Sequence, residues 1–388
     1  MSSKIAKRMQ DISSFYVMAL LNRAKQLESL GRDVIHMEIG EPDFPTPPTI
    51  IAAGINLLQT GDVKYTPAAG LPELRQKIAC FYQSQYAVDV AAERIFITPG
   101  ASGAFLLALG ISLNPGEELL MADPCYPCNS NFASLYGAIA RSLPVDADSA
   151  YQLTAAQIKH HWRGNSKGVL IASPSNPTGT LVSPEALQAV VQTTNALGGC
   201  FYSDEIYHGL VYGQTVATAL QYSDDVFVIN SFSKYFGMTG WRIGWLVVPE
   251  EFVEAAEKLA QNIFIATSTH SQYAALAAFD PETLAELECR RAELAARRDF
   301  LYAQLLRLGF TIPVKPEGAF YIYADCSRFT DDSYQFALDF LEQEAVAITP
   351  GKDFGSHHAH HNLRFAYTTT VDKMAVAMQR LERFINKG

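Results

Sequence analysis

Short apolar runs alternate with longer amphipathic stretches through the middle of the chain. Six of these runs have the length and composition of buried strands. They are residues 94–98, 118–122, 168–172, 199–203, 226–230 and 245–248. Between most of them the apolar positions recur at helical spacing, as in residues 184–197, where one face carries Leu187, Val190, Val191 and Leu197. This alternation predicts a largely parallel sheet covered by helices, with ligands beyond the carboxyl ends of its strands.

The two ends of the chain carry a different pattern. Residues 14–30 predict one helix, and a long charged helical pattern occupies residues 281–309. Two alternating strand patterns follow, at 318–325 and 362–368, and helical patterns near 333–344 and 371–386 accompany them. Mixed helices and alternating strands of this kind indicate a smaller α+β unit.

The predicted fold is therefore α/β. We expect a large domain with a mostly parallel sheet covered by helices, and a smaller α+β domain built from both termini. In this division residues 1–45 are an N-terminal segment of the small domain, residues 46–285 form the large domain, and residues 286–388 complete the small domain.

The overall charge and hydropathy exclude several classes of protein. The formal net charge is −10, which disfavours broad nucleic-acid binding because that requires clustered cations. The longest apolar runs are far shorter than the roughly 20 residues that span a bilayer. No apolar segment follows the charged start of the chain, so we predict no secretory signal, no membrane partner and a cytoplasmic location.

Two local clusters leave alternatives open. Cys125 and Cys128 form a CYPC pair that suits a redox or zinc site, but no second such pair exists and the intervening Tyr-Pro suits a turn. Four histidines crowd the stretch HHAHH at 357–361. Metal ligation is conceivable there, but we favour a polar surface loop and predict no metal site.

Unusual chemistry follows three neighbouring strand patterns. Asn176 lies in SPSNPTG, Asp204 and Tyr207 lie in DEIY, and Lys234 lies in SFSK. Each has a plain structural alternative, since NPTG is a good turn, a DE pair often caps a helix and a lysine is often a surface charge. At one sheet edge, however, they would bring together an amine, a carboxylate, a phenol and an amide.

A lysine amine close to a carboxylate, a phenol and an amide is typical of a site for pyridoxal 5′-phosphate. A free lysine is almost wholly protonated at neutral pH, but it becomes useful when it forms a Schiff base with a carbonyl. The aldehyde of this cofactor supplies the carbonyl, and its ring is an electron sink for a carbanion at Cα. Lys234 fits the Schiff base, Asp204 fits the ring nitrogen, and Asn176 and Tyr207 fit the phenolic oxygen.

The cofactor's phosphate requires cations, hydroxyls and backbone N–H groups. Arg242, Ser231 and Ser233 offer the first two in the same motif as Lys234. The stretch TPGASG at 98–103 turns from a strand into a helix, whose N-terminus favours an anion.

In these motifs the chain resembles the class I/II aminotransferases of the fold type I pyridoxal-phosphate enzymes. The likeness extends over nearly the whole chain with its motifs in one order. These are GEPDF (40–44), YTPAAGLPELR (65–75), TPGASGA (98–104), DPCYP (123–127), SNPTGT (175–180), DEIY (204–207), SFSKYFGMTGWRIG (231–244), PEGAFY (316–321), PGKDFG (350–355) and LRFAY (363–367).

The resemblance implies a role for each matching residue. Catalysis would fall to Lys234, Asp204 and Tyr207, with Lys234 also moving protons. Arg364 would clamp the substrate α-carboxylate, bordered by the backbone of Gly40. The cofactor-binding residues that the motifs imply are Tyr65, Ala101, Ser102, Tyr126, Asn176, Asp204, Tyr207, Ser231, Ser233, Lys234 and Arg242.

Within that set, Tyr126 would stack on the ring. Asn176 would also border the substrate. Tyr65 would reach the phosphate of the other subunit, so the resemblance implies a homodimer with shared active sites. As structural alternatives, Tyr126 and Tyr65 could pack in their own subunit and Arg364 could pair with a structural carboxylate.

The predicted function is transfer of an amino group between an L-amino acid and a 2-oxo acid, expected to be 2-oxoglutarate. A carbon–sulfur β-lyase on the same fold and a non-catalytic amino-acid sensor are the alternatives. The donor's side chain is not indicated, because no motif anchors a second arginine. Phe15, Tyr16 and His270 fit either the side-chain pocket or ordinary packing.

Overall fold

The structure, a computed structural model, describes residues 4–10, 12 and 15–387 of the chain. The strands are β1 (Ile35–His36), β2 (Ile95–Thr98), β3 (Glu118–Asp123), β4 (Ile139–Pro144), β5 (Ser166–Ala172), β6 (Cys200–Asp204), β7 (Phe227–Ser231), β8 (Gly244–Val247), β9 (Tyr321–Asp325), β10 (Val346–Ala347), β11 (Thr349–Pro350) and β12 (Asn362–Ala366).

The α-helices connect these strands and cover the sheets. They are α1 (Tyr16–Ser29), α2 (Pro48–Thr60), α3 (Pro72–Tyr86), α4 (Gly100–Ser112), α5 (Cys128–Leu135), α6 (Ala155–His161), α7 (Pro184–Ala196), α8 (Val253–Ile263), α9 (Thr269–Leu276), α10 (Pro281–Leu308), α11 (Ser333–Glu344) and α12 (Val371–Ile385). None of the helices in the described ranges is both long enough and apolar enough to cross a bilayer.

The large sheet has seven strands in the order β2-β8-β7-β6-β5-β3-β4. Strand β8 runs antiparallel to both of its neighbours, and the other neighbouring pairs are parallel. The predicted mostly parallel sheet is therefore confirmed, and all six apolar runs are strands of it. Since β5, β6 and β7 are adjacent and parallel, their carboxyl ends meet at one edge.

Strand β4 was missed by the sequence pattern. It lies at the edge of the sheet, and of its six residues only Leu143 is buried. A pattern search for apolar runs does not detect an edge strand whose side chains are mostly in contact with solvent.

Helix α7 corrects one detail of the predicted amphipathic face. Leu187, Val190 and Val191 are buried as expected. The helix ends at Ala196, so that Leu197 is its C-cap residue and is 36% exposed rather than part of the buried stripe.

A second core joins the two ends of the chain. Strands β11, β12 and β9 form a small antiparallel sheet, and β1 pairs in parallel with β10. Apolar side chains of α1 and β1, such as Leu20 and Ile35, share one buried cluster with Phe340 of α11 and Leu363 of β12. This cluster supports a smaller unit built from both termini, while the exact boundaries 1–45, 46–285 and 286–388 stay predictions.

Candidate active site

A cavity of about 400 Å³ lies at the carboxyl edge of β5, β6 and β7. Twelve of the thirteen residues that the sequence predicted for the site line it. They are Gly40, Ala101, Ser102, Tyr126, Asn176, Asp204, Tyr207, Ser231, Ser233, Lys234, Arg242 and Arg364. Tyr65 is the exception, since it is 83% exposed and lies outside this lining.

The sheet explains why residues far apart in the chain meet here. Asp204 is the last residue of β6 and Ser231 is the last residue of β7. Asn176 follows β5 after a short turn, and Lys234 follows β7 by three residues. Adjacent parallel strands deliver these side chains to the same edge.

Lys234 places a partly buried amine in the cavity lining. Its Nζ atom donates a hydrogen bond to the carbonyl oxygen of Gly40 at 2.8 Å, so its partner is neutral. Burial lowers the pKa of Lys234 to about 8, and nearby Arg364 and Arg242 push it in the same direction, against the attraction of Glu41. A substantial fraction of the amine is therefore neutral near physiological pH.

Asp204 is a buried carboxylate with little compensation. Its Oδ1 atom accepts a hydrogen bond from the backbone N–H of Ile206 at 3.3 Å. Burial raises the pKa of Asp204 to about 7, and the Ile206 N–H and the charge of Lys234 offset only part of that rise. A cation placed against this carboxylate would restore its ordinary ionisation.

The opposite part of the cavity suits an anion. Ala101 and Ser102 lie in the first turn of α4, whose N-terminus carries unpaired backbone N–H groups. Gly100 has φ 67°, and a Cβ atom on it would lie 2.5 Å from a terminal guanidinium nitrogen of Arg242. Glycine therefore permits the close approach of the arginine to the helix start. Ser231, at the end of β7, completes this side of the cavity.

Arg364 is a buried guanidinium whose partners are all neutral. It donates to the side-chain oxygen of Asn176 at 2.9 Å, to the carbonyl oxygen of Glu38 at 2.5 Å and to the hydroxyl of Thr349 at 3.1 Å. Its Nε atom is buried without a hydrogen-bond partner. The alternative of a structural ion pair is therefore wrong for the described residues, and the guanidinium retains capacity for an anion.

Two aromatic rings fix the plane of that guanidinium. Its central carbon lies 4.2 Å from the ring centre of Tyr321 and 4.8 Å from that of Phe354. Such contacts favour a cation over an aromatic face and restrict its rotation. Together with its hydrogen bonds, these contacts hold the Arg364 guanidinium in place.

Tyr321 also lines the cavity, although no pattern in the sequence indicated it as a site residue. Its hydroxyl is 3.0 Å from that of Tyr207. A Cβ atom on Gly40 would lie 2.1 Å from the same hydroxyl, so residue 40 must be glycine to let Tyr321 reach the cavity. The motif PEGAFY was the available signal, but no chemistry in its neighbourhood pointed to the tyrosine.

Helix α1 forms a wall that the sequence only hinted at. Phe15, Val17, Met18 and Leu21 line the cavity. Tyr16 does not line the cavity. It is 42% exposed, and its ring packs against that of Tyr334 with 5.0 Å between the ring centres.

His270 is also outside the lining. It is exposed, and its ring nitrogens lie 3.1 and 3.3 Å from the hydroxyl of Ser268. Of the three residues left open from the sequence, only Phe15 therefore contacts the cavity.

The histidine-rich loop lies beside the site. Nε2 of His357 is 2.8 Å from the Asp146 carboxylate. Ligand atoms of Asp146, His357 and His358 lie within 4.8 Å of one another, an arrangement compatible with a cation.

The CYPC pair does not have the properties of a reactive thiol site. Cys125 is a free thiol whose pKa is raised to about 12 by burial, so little of it is present as the nucleophilic thiolate.

A family model described as aminotransferase class I and II matches residues 32–381. The chain belongs to this family, whose members use pyridoxal phosphate. The predicted fold and the predicted aminotransferase activity are confirmed at this level.

Individual relatives match the chain from end to end. A (5-formylfuran-3-yl)methyl phosphate transaminase of Methanocaldococcus jannaschii is 36% identical and covers 99% of this chain and 100% of its own. A valine–pyruvate aminotransferase of Mycobacterium tuberculosis is 37% identical, with 98% of each chain covered. The crystal structure of an aminotransferase from M. tuberculosis superimposes with a TM-score of 0.96 at 36% identity, over 100% of both chains.

Proposed function

We propose that this aminotransferase holds pyridoxal 5′-phosphate in the cavity and moves an amino group between an L-amino acid and a 2-oxo acid. One observation carries the proposal. An amine whose pKa is lowered to about 8, Lys234, shares one cavity with the buried carboxylate of Asp204 and the anion-seeking guanidinium of Arg364.

The residues present fit this cofactor. Among the described residues no cation lies within ion-pair distance of Asp204, and the protonated ring nitrogen would supply one. Arg242 pairs with no carboxylate in the same ranges, and the phosphate would supply an anion to it and to the N-terminus of α4. The Lys234 amine is hydrogen-bonded to the Gly40 carbonyl oxygen and to no other described group, so its nitrogen can react with the aldehyde. The carboxylate, the anion-binding groups and the amine of the cavity thus match the ring nitrogen, the phosphate and the aldehyde of one molecule.

When bound, pyridoxal phosphate supplies an electrophilic aldehyde and a ring that withdraws electrons from the Cα atom of an amino acid. The chain's own residues do the rest. The amine of Lys234 would hold the cofactor at its aldehyde carbon, with the aldehyde oxygen leaving as water, and once a substrate amine had replaced it there the freed neutral amine would accept the proton from Cα. Asp204 would keep the ring nitrogen protonated, while Asn176 and Tyr207 would donate hydrogen bonds to the phenolic oxygen.

Substrate orientation falls to Arg364. Its planar guanidinium, in contact with two aromatic rings, suits a bidentate contact with an α-carboxylate. The carbonyl of Gly40 faces Lys234 and borders the space in which the substrate amine would lie. The acceptor predicted from the family resemblance, 2-oxoglutarate, stays a prediction.

Two further features also stay predictions. A homodimer in which Tyr65 completes the phosphate site of the partner agrees with the exposure of this tyrosine outside its own cavity. A cytoplasmic location agrees with the absence of a membrane-spanning helix among the described residues.

A half-reaction screen tests the proposed function. Protein loaded with pyridoxal phosphate is mixed with single amino acids, without any 2-oxo acid, and its absorbance is followed. We expect conversion to the pyridoxamine form with release of one equivalent of 2-oxo acid per site. Continuous release of pyruvate and ammonia without an acceptor would instead identify the lyase, and retained colour with no reaction would identify a sensor.

A further inference from the structure

Part of the cavity lining is apolar. Phe15 and the first half of α1 contribute Val17, Met18 and Leu21 to the cavity. These side chains are partly exposed, between the buried face of α1 and its solvent face, because they border the open cavity rather than the packed core. None of them is required by the chemistry assigned above.

Other elements extend this surface. Ile39, Pro127, Ile206 and Phe354 also line the cavity and come from four different segments of the chain. Apolar side chains that converge on a ligand cavity from separate elements are typical of a side-chain binding subsite. We refer to Phe15, Val17, Met18, Leu21, Ile39 and Phe354 as the apolar wall.

The positive charges of the cavity are already committed. Within the described residues, the lysines and arginines that line it are Lys234, Arg242 and Arg364. Under the proposed function they serve the amine chemistry, the phosphate and the α-carboxylate respectively. The residues outside the described ranges include no lysine, arginine or histidine. A second carboxylate on the substrate would therefore meet no free cation of this subunit.

Negative charges in the same lining oppose a second carboxylate further. Glu41 lines the cavity, and Asp353 is buried in the same lining and faces the start of α1. Neither carboxylate has an ion-pair partner among the described residues, whereas Glu38 is paired with His36, whose pKa this contact raises to about 9. Bringing a further carboxylate to Glu41 and Asp353 is unfavourable because both desolvation and repulsion act against it.

From this distribution we infer that the cavity selects amino acids with apolar side chains, aliphatic or aromatic, over aspartate and glutamate. This inference rests on the proposed function and specifies its substrate class. The same compartment receives the acceptor. In contrast to the expectation of 2-oxoglutarate that the family resemblance gave, the inference therefore favours monocarboxylic 2-oxo acids with apolar side chains as acceptors.

Binding of unreactive acids tests the inference without turnover. The loaded protein is titrated with 4-methylpentanoate and 3-phenylpropionate, and in parallel with succinate and glutarate, at constant ionic strength. Dissociation constants come from the change in cofactor absorbance or from calorimetry. We expect the apolar acids to bind at least ~10-fold more tightly, which corresponds to about 1.4 kcal/mol. Equal or tighter binding of the dicarboxylates overturns the inference.

A half-reaction series separates this inference from the proposed function. Leucine, methionine and phenylalanine are compared with aspartate and glutamate by single-turnover rate constants divided by apparent KM. Preference for the apolar donors is the expected result. If the dicarboxylic donors react faster, the substrate class is wrong although the enzyme is still an aminotransferase. If no amino acid converts the cofactor, the proposed function itself fails.

A pair of charge-adding variants locates the subsite. Met18→Arg places a cation on the apolar wall at a position that is already 48% exposed, so folding should tolerate it. Ala19→Arg adds the same charge on the next residue of α1, which is exposed and does not line the cavity. We expect Met18→Arg to shift the binding ratio toward glutarate at least ~10-fold, and Ala19→Arg to leave it unchanged. Equal effects of the two variants overturn the assignment of α1 as the wall.

Discussion

The carboxylate of Asp353 accepts hydrogen bonds from the backbone N–H groups of Tyr16 and Val17, at 2.6 and 2.8 Å. The first turn of a helix leaves such groups without partners inside the helix, and Phe15, at the N-cap position of α1, has no side-chain acceptor. A residue 336 positions further along the chain than Val17 therefore caps the helix that carries three residues of the apolar wall.

Asp353→Ala should loosen α1 from the rest of the site. Loss of an N-cap acceptor typically lowers stability by about 1 kcal/mol. Because α1 lines the cavity, we expect a higher KM for the amino acid with a smaller change in kcat. Steady-state kinetics and a thermal melt measure both effects. Asp353→Asn keeps an amide oxygen as acceptor and should lie between wild type and alanine, whereas an unchanged KM in both variants would contradict the role.

Lys234→Ala should abolish covalent attachment of the cofactor. Borohydride treatment of the loaded wild type should fix the cofactor to the chain, and mass spectrometry should find it on Lys234. The variant should show no such adduct, and its transamination should fall by several orders of magnitude. Lys315→Ala is the control, since Lys315 pairs with Asp299 at the surface. Near-normal turnover of Lys234→Ala would refute the mechanism.

Asp204→Asn should change how the cofactor-free protein responds to pH. The folded-state pKa of Asp204 is raised to about 7 from an ordinary value of 3.8. Between these values the folded state binds the proton more strongly than the unfolded state, so stability falls as pH rises through this window. At pH 8 the full penalty is present, and it amounts to up to about 4 kcal/mol at 1.36 kcal/mol per pKa unit.

Asparagine has no charge to bury, so the variant should melt above wild type at pH 8 and close to it at pH 4. Thermal melts of both proteins across this range measure the difference. With pyridoxal phosphate bound, the order should reverse at pH 8 because the ring nitrogen then pairs with the carboxylate. A stability difference that does not vary with pH would show that Asp204 is ionised at no cost.

Arg364→Ala should weaken both half-reactions. Breaking a buried charge contact from one side costs about 2–5 kcal/mol, which is a loss of at least about thirtyfold in kcat/KM. The amino acid and the 2-oxo acid share the α-carboxylate, so both should be affected. Arg364→Lys keeps the charge but not the bidentate geometry and should recover only part of the loss. A loss confined to one substrate would indicate that Arg364 reads the side chain instead.

Tyr65→Ala should weaken cofactor binding, and a partner subunit with an intact Tyr65 should restore it. If Tyr65 serves the partner's phosphate site, mixing this variant with inactive Lys234→Ala protein creates hybrid dimers with one complete site. Activity at limiting pyridoxal phosphate should then rise after subunit exchange, which capture of a tagged chain verifies. The matched control replaces Lys234→Ala by the double variant Lys234→Ala, Tyr65→Ala, which offers no intact tyrosine. Equal activity in the two mixtures would place Tyr65 in its own subunit.

The sequence by itself determined the elements that depend on local pattern. Six of the seven strands of the large sheet were predictable because each is largely buried and forms a short apolar run bounded by turns. The sequence also predicted that three functional residues share one site, for a related reason. These residues are Lys234, Asp204 and Asn176. Adjacent parallel strands end at one edge, so functional side chains placed just beyond such runs converge whatever the details of packing.

The tertiary structure decided which distant residues meet. Arg364 bonds to Asn176 across 188 positions of the chain, and neither residue's neighbourhood contains a sign of the other. The capping of α1 by Asp353, the place of Tyr321 above Gly40 and the exposed edge strand β4 are of the same kind. Each of these features depends on how one helix, strand or loop packs against another that is distant in the chain. The periodicity of apolar residues predicts which face of a single element is buried, but not which element packs against that face. The apolar wall, on which the proposed substrate class rests, therefore depends on the packing of α1 against the segment that contains Asp353.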